Sequence, residues 1–500
     1  MALEWTRQEF EAEDLIGAES AQVLLRAEAL VPGAGREAIE PLMADASLFI
    51  DAVDLQADRL VLEGTVSCQA VYRQGGESTL RALAAKVRLD HALEIPGAEP
   101  GMFSRVHGAV EHVEARYENG HMIFLVICGL RAQVLQLRQV SCIRSVSERE
   151  GLETAFRQLS SVKLAAEASE TALLRETVVL PAELDARATL MDWAVAEVDE
   201  VAPDLGGVRV KGRVLVESLL SSGAAPVPAA VVRVPMALDQ LVELPEWLSA
   251  NVAAELDVRG LRTQISMAAD GVTAQLSCEA ELRARVLAST VDAPKALVDA
   301  YATRGSALEI QRQPVRLCAS VDRAQLTETA RGAVPVEDGA PRVGAVIAVQ
   351  ARPVVSQWHG DGSGAGRVEG VLEVEVLYAP AGGGQPTSAS SELPFAVDVP
   401  IGLNDDSTVS VQTLSAEASA LLGDRLDVKA QLNVRCETRQ RQTVEIVTDI
   451  REGEPVRRRP GVVIVWPEAG EDAWSLGRRY AIPAEQAAGA SPGQPLVLKL

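Results

Sequence analysis

The stretch Gly366-Arg-Val-Glu-Gly370-Val-Leu-Glu-Val-Glu-Val-Leu-Tyr378 alternates apolar and polar side chains around a central glycine. Alternation with a period of two is typical of a β-strand that buries one face. Two other stretches share the pattern, Leu60 to Tyr72 around Gly64 and Val208 to Leu220 around Gly212. The three glycine strands predict a β domain that repeats with a period of roughly 150 residues.

Two further signals accompany each glycine strand. About thirty residues after the glycine, the chain reads Leu93-Glu-Ile-Pro96, Val242-Glu-Leu-Pro245 or Val397-Asp-Val-Pro400. An alternating segment then ends each unit, at 123–134, 272–282 and 426–434. Three signals in one order predict three tandem domains at 1–150, 151–300 and 301–454, followed by a C-terminal segment at 455–500.

Turn-forming residues separate the alternating segments, which favours a mainly β chain of sandwich-like or barrel-like domains. We expect hairpin loops at 56–58, 203–207 and 359–366; the last is rich in glycine but lacks the spacing of a phosphate-binding loop. Apolar segments ending at Pro32 and Pro181 lead into the first two domains, with a weaker counterpart at 333–335. We expect 150–170 and 292–330 to link domains or to add small helices.

Charge and composition exclude several functions. The formal net charge of −23 would repel the phosphates of nucleic acid and anionic membranes. The acidic start at 1–14 has no apolar run, and no segment reaches the roughly 18 to 20 apolar residues of a membrane helix, so we expect a cytoplasmic protein. Six scattered cysteines fit reduced, buried thiols.

One group of side chains in the first domain could form a metal site. His107, His112 and His121 lie close to Glu111, but the other two domains have no corresponding histidines and the spacing matches no helical ligand pair. No nucleophile-elbow serine or Cys/His signature appears. We therefore predict no enzyme, no cofactor and no metal, with an enzyme that uses a cleft between β domains as a remaining alternative.

The C-terminal segment carries a definite motif. A strand pattern at 462–466 precedes Gly470-Glu-Asp-Ala-Trp474-Ser-Leu-Gly-Arg-Arg-Tyr480, and Pro492-Gly-Gln precedes a second strand pattern. The segment resembles a LysM domain, which implies a small βααβ fold. The matching residues are Gly470, Trp474, Ser475, Arg479, Tyr480, Pro492, Gly493 and Gln494. Asp472 is placed to cap the first helix and Pro483 to open the second.

The order of the domains carries a second resemblance. Three β domains ahead of a LysM segment, with stretches such as 94–101 and 392–400, resemble the SPOCS-domain spore-coat morphogenetic proteins of spore-forming bacteria. The resemblance implies a non-enzymatic scaffold or adaptor in the mother-cell cytoplasm, at the forespore surface. It also implies that the LysM domain docks a coat-basement ATPase, while the β domains bridge to other spore-coat proteins.

Within the LysM-like segment we predict a partner- or glycan-binding surface at Gly470, Glu471, Asp472, Arg478, Arg479, Ser491, Pro492 and Gly493. We assign Trp474, Leu476 and Tyr480 to its core. The stretch 487–491 is shorter than in glycan-binding LysM domains, which favours a protein ligand. The alternative is a cell-wall-associated protein that binds peptidoglycan or N-acetylglucosamine.

Overall fold

The chain folds almost entirely into antiparallel β-strands, which confirms the mainly β prediction. The computed structural model describes residues 3–33, 38–75, 79–223, 227–244, 251–270, 273–337, 339–421, 425–456 and 461–499. Aromatic residues are scarce, so Val, Leu and Ala form most of the buried cores. Pro245, Val272 and the predicted linker residues 457–460 lie outside the described residues.

Six strands form a first unit. They are β1 (Trp5–Leu30), β2 (Ile39–Gln56), β3 (Arg59–Gln74), β4 (Leu80–Glu94), β5 (Phe103–Glu118) and β6 (His121–Val146). One sheet has the order β1-β6-β5 and the other β2-β3-β4. Val66 of β3 and Phe124 of β6 are buried in a core that both sheets share, so the two sheets pack face to face.

Two more sets of six strands follow. After β7 (Leu152–Gln158), the middle unit contains β8 (Ser161–Val179), β9 (Ala186–Asp204), β10 (Gly207–Ser222), β11 (Ala229–Glu243), β12 (Asn251–Met267) and β13 (Ala274–Asp292). After β14 (Lys295–Ala302), the third unit contains β15 (Ser306–Pro335), β16 (Val343–Gly360), β17 (Gly366–Pro380), β18 (Thr387–Val399), β19 (Thr408–Leu421) and β20 (Arg425–Pro455). Their sheets, β12-β13-β8 with β11-β10-β9 and β15-β20-β19 with β16-β17-β18, have the strand order of the first unit.

The segments expected to link domains or to add small helices are strands instead. Residues 150–170 contain β7 and the start of β8, and residues 292–330 contain β14 and most of β15. β7 pairs with β14 in a two-stranded sheet. The expectation of helices is wrong because the pairing partner of each segment is distant in sequence, where no local pattern reveals it. The segment at 333–335, expected to lead into the third unit, is only the end of a long strand. That strand, β15, begins at Ser306.

The repeated glycines occupy one structural position. Gly64, Gly212 and Gly370 lie on the central strands β3, β10 and β17, opposite bulges in β2, β9 and β16. A Cβ atom at these glycines would lie 2.7, 2.4 and 2.2 Å from the carbonyl oxygens of Phe49, Glu197 and Val354. The bulge pushes the neighbouring backbone so close that a side chain does not fit.

The three units pack against one another. Leu42, Leu190 and Ile347, each the extra residue of a bulge in β2, β9 or β16, meet in one buried apolar cluster. Each unit therefore contacts the other two, and the third unit closes against the first.

The C-terminal module has its own small core. β21 (Val462–Val465) pairs with β22 (Leu496–Lys499), and α1 (Ala473–Tyr480) and a 3₁₀ turn (Ala484–Ala487) lie between them in the chain. The second helix of the expected βααβ order is thus a single 3₁₀ turn, because only four residues separate Pro483 from Ala488.

Candidate functional site

The helix of the C-terminal module begins at a complete capping box. Asp472 accepts a hydrogen bond from Ser475 N at 2.8 Å, and Ser475 Oγ accepts from Asp472 N at 2.9 Å. The bond from the Ser475 N–H holds the pKa of Asp472 below its usual value. The expected helix cap is confirmed, and it fixes the loop that precedes the helix.

Two loops with predicted binding residues lie side by side. Gly470 and Gly493 both have positive φ angles, +93° and +74°, which glycine adopts without strain. Gly493 N donates to Pro467 O at 3.0 Å and so joins the second loop to the first. Gly470, Asp472 and the residues Ser491, Pro492 and Gly493 are exposed, whereas Glu471 is half-buried and pairs with Arg479.

Arg478 lies elsewhere, against strand β14. Its Nη1 atom lies 2.9 Å from Asp299 Oδ2, and Trp474 Nε1 donates to the same oxygen at 2.8 Å. Arg312 Nη2 reaches Asp299 Oδ1 at 2.5 Å. One carboxylate of β14 therefore binds the helix of the C-terminal module at two points.

An aromatic contact strengthens this attachment. Tyr301 of β14 meets Trp474 edge to face at 4.9 Å, and its hydroxyl donates to Ile482 O at 3.1 Å. Burial raises the pKa of Tyr301 to about 12, so the hydroxyl remains a donor at neutral pH. A Cβ atom at Gly477 would lie 2.4 Å from that hydroxyl oxygen. The helix can approach β14 this closely because residue 477 is glycine.

The predicted core residues of the module separate into two groups. Leu476 is fully buried in the module, and Tyr480 packs partly buried against the same core. Trp474 lies at the boundary with β14 instead. Sequence reasoning missed Asp299 and Tyr301, because nothing local links them to a segment more than 170 residues away.

The outer face of the β21–β22 sheet is apolar and exposed. Val462, Ile464, Trp466 and Val497 are between 53% and 64% exposed. The apolar run at 462–466 predicted a strand. It did not show which face of the sheet would be exposed and which would carry the buried Val465 and Leu498.

The three units also surround a large open cavity of about 2790 Å³. Acidic and basic side chains both line it, and many are paired across strands, as in the contact of Arg283 with Asp257 at 2.8 Å and of Arg285 with Glu167 at 2.7 Å. Nε and Nη2 of Arg435 are buried there without a hydrogen-bond partner. The walls are therefore charged but largely neutralised.

The clustered histidines of the first unit do not converge. His107 lines the cavity, where burial lowers its pKa; His112 bonds Glu373 of the third unit at 2.7 Å; and His121 bonds the carbonyl of Asn119 at 3.2 Å. Across the described ranges, no group of three or more potential metal-ligating side chains comes together. The six cysteines are free and buried.

The fold and this module define a mainly β protein of three packed units with a small C-terminal module attached to the β14 strand. Residues 39–118, which run from β2 to the end of β5 in the first unit, match the family model described as "SipL, SPOCS domain". The match supports a relationship to this sporulation-related family. No curated protein and no solved structure matches the chain. Within the described residues, the helices are too short to cross a membrane.

Proposed function

We propose that this protein is a non-enzymatic scaffold or adaptor in spore-coat or spore-envelope assembly. The observation that carries the proposal is the match of residues 39–118 to the SipL SPOCS domain. We assign the three units to three copies of that domain, at 1–150, 151–300 and 301–454. The common strand order and the glycine opposite a bulge in each unit support this assignment.

We assign residues 455–500 to a LysM-like domain that docks a coat-basement ATPase. The capping box and the two adjoining glycine loops support a rigid binding surface, with Gly470, Asp472 and Ser491 to Gly493 accessible. Arg479 and Glu471 lie beside the first loop and extend it with charge. Arg478 is held by Asp299, so it positions the module instead of meeting the ATPase directly.

The β units bridge to other coat proteins. The strands at the sheet edges, such as β4 and β18, present backbone groups that a second extended segment can pair with. Several weak contacts on one chain add through effective concentration, so a modest affinity at each surface is sufficient for bridging. We place the protein in the mother-cell cytoplasm at the forespore surface.

The proposal is tested with a fluorescent fusion of the full chain in a spore-forming host. We expect the fusion to encircle the developing forespore, and we expect Arg479→Glu to disperse it. The matched control is Arg88→Glu, which reverses an exposed arginine that also pairs with a glutamate, Glu63, but lies on the first unit. A wild-type fusion that is uniformly cytoplasmic or in the cell wall contradicts the proposal.

A further inference from the structure

Neighbouring units are joined at one equivalent position on their central strands. Gln69 lies five residues after Gly64, and Glu375 lies five residues after Gly370. Gln69 Nε2 donates to Asp192 O at 2.9 Å, and Asp192 N donates to Gln69 Oε1 at 3.1 Å, across the seam between the first and middle units. Ala44 N donates to Glu375 Oε2 at 3.0 Å, across the seam between the third and first units.

The backbone groups that receive these side chains are equivalent as well. Ala44 and Asp192 each lie two residues after the bulge residue of β2 or β9, Leu42 or Leu190. Both strands lie at the edge of their sheet. Because the N–H and C=O of one residue in an antiparallel strand point to the same side, Ala44 presents both groups to the third unit, as Asp192 does to Gln69.

The two side chains differ in what they can supply. The amide of Gln69 has a donor and an acceptor and satisfies both backbone groups. An ionised carboxylate has only acceptors, so Glu375 accepts from the N–H of Ala44 but cannot satisfy the Ala44 carbonyl. A protonated Glu375 gains an O–H donor and matches the bonding capacity of glutamine.

The surroundings of Glu375 disfavour its charge. Arg352, the nearest cation, already binds Asp45 at 2.7 Å and Glu373 at 3.4 Å. Burial raises the pKa of Glu375 to about 7, although the hydrogen bond from Ala44 N–H and the charge of Arg352 both lower it. The negative charges of Asp45 and Glu373 add smaller increases. The charged and titratable groups that face this site from β2, β16, β17, β18 and β5 are Asp45, Arg352, Glu373, Glu392, His112 and Glu114.

We propose that Glu375 is a proton-operated latch on the seam between the third and first units. Protonated, it accepts from Ala44 N–H and donates to Ala44 C=O, as Gln69 does at the first seam; ionised, it makes only the first bond. The seam between the middle and third units lacks this latch. Glu217, five residues after Gly212, pairs instead with Arg233 of its own unit at 2.6 Å.

The direction of the pH effect follows from linkage. In an open seam, Glu375 should have the ordinary glutamate pKa of about 4.3. In the closed seam its pKa is about 7. The closed seam therefore binds the proton more tightly, so it is most stable at acidic pH and weakens as pH rises through this window. Between pH 6 and pH 8, the fraction of open seam should rise roughly tenfold.

Hydrogen–deuterium exchange of the full chain at pH 6 and pH 8, corrected for intrinsic exchange, tests the latch. We expect protection of 39–56 to fall roughly tenfold at pH 8, while 186–204 at the Gln69 seam stays constant. Glu375→Gln should remove the pH dependence of 39–56, and Gln69→Glu should introduce one at 186–204. Equal protection of wild-type 39–56 at both pH values, or a pH dependence that survives in Glu375→Gln, overturns the proposal. If Glu375→Gln fails to fold, the Gln69→Glu variant decides. Protection of 186–204 that is equal at pH 6 and pH 8 in that variant overturns the proposal.

Discussion

Arg439 Nη1 donates to Glu13 Oε1 at 2.6 Å, and the two side chains are only 2% and 0% exposed. The other carboxylate oxygen, Glu13 Oε2, accepts from Leu164 N at 3.0 Å. Glu13 belongs to the first unit, Leu164 to the middle unit and Arg439 to the third. A single buried carboxylate therefore contacts all three units, and because a buried charge requires its partners, it favours one arrangement of the units.

Removing this carboxylate should be costly. Glu13→Gln removes the hydrogen-bonded counter-charge of the buried Arg439 guanidinium and leaves it only the more distant Glu437, 3.7 Å away. Breaking a buried ion pair typically costs roughly 3–5 kcal/mol. We expect the midpoint of urea unfolding to fall accordingly. The matched control is Glu63→Gln, which breaks an exposed pair with Arg88 and should change the free energy of unfolding by less than about 1 kcal/mol. Equal effects of the two substitutions would contradict the buried-charge explanation.

The bulge glycines should resist even alanine. Gly370→Ala places a methyl group 2.2 Å from the Val354 carbonyl oxygen, which forces the two strands apart. We expect a loss of about 1–3 kcal/mol or more, measured as a lower melting temperature. Gly260→Ala is the control, because the nearest atom to its Cβ would be 3.9 Å away. A Gly370→Ala protein as stable as the wild type would show that the strands do not approach so closely.

The attachment of the C-terminal module should depend on Asp299. Asp299→Asn removes the charge that binds Arg478 and Arg312, and hydrogen bonds to charged groups contribute about 1.5–3 kcal/mol each. Hydrogen exchange should then accelerate in both α1 and β14. Arg479→Glu, on the neighbouring helix position, should leave β14 unchanged. Unaltered exchange in α1 of Asp299→Asn would show that the contact of Tyr301 with Trp474 is sufficient.

The six thiols should be unreactive in the folded protein. Burial raises the pKa of Cys68 to about 12, and burial raises that of Cys436 to about 11, so little thiolate forms at pH 8. A thiol reagent should label fewer than one cysteine per chain before unfolding and all six in denaturant. Rapid labelling of the native protein would contradict the buried positions of the cysteines.

The sequence predicted those features that depend on neighbours along the chain. The alternation at 366–378 and the turn residues at 359–366 are local, so the strand and the hairpin were both visible before the structure. The repeated glycine at 370 was visible as well, but the sequence did not show that a bulge in β16 lies opposite it. The capping of α1 by Asp472 was also visible, since a helix cap involves residues three apart.

Features that depend on distant residues could not be predicted. Glu13 and Arg439 are 426 positions apart, and neither residue lies in a distinctive local pattern. The contact of Arg478 with Asp299 of β14 could not be predicted for the same reason, because the two residues are 179 positions apart. In an acidic chain of this size, too many carboxylates compete for such a pairing to be derived from sequence.

We propose that the C-terminal module recognises a protein partner. The most direct test is a titration of the full chain with the coat-basement ATPase and, in parallel, with N-acetylglucosamine oligomers. We predict saturable binding of the ATPase that Arg479→Glu weakens and Arg88→Glu does not, with no binding of the oligomers. Binding of the oligomers without binding of the ATPase would contradict this proposal and place the protein at the cell wall.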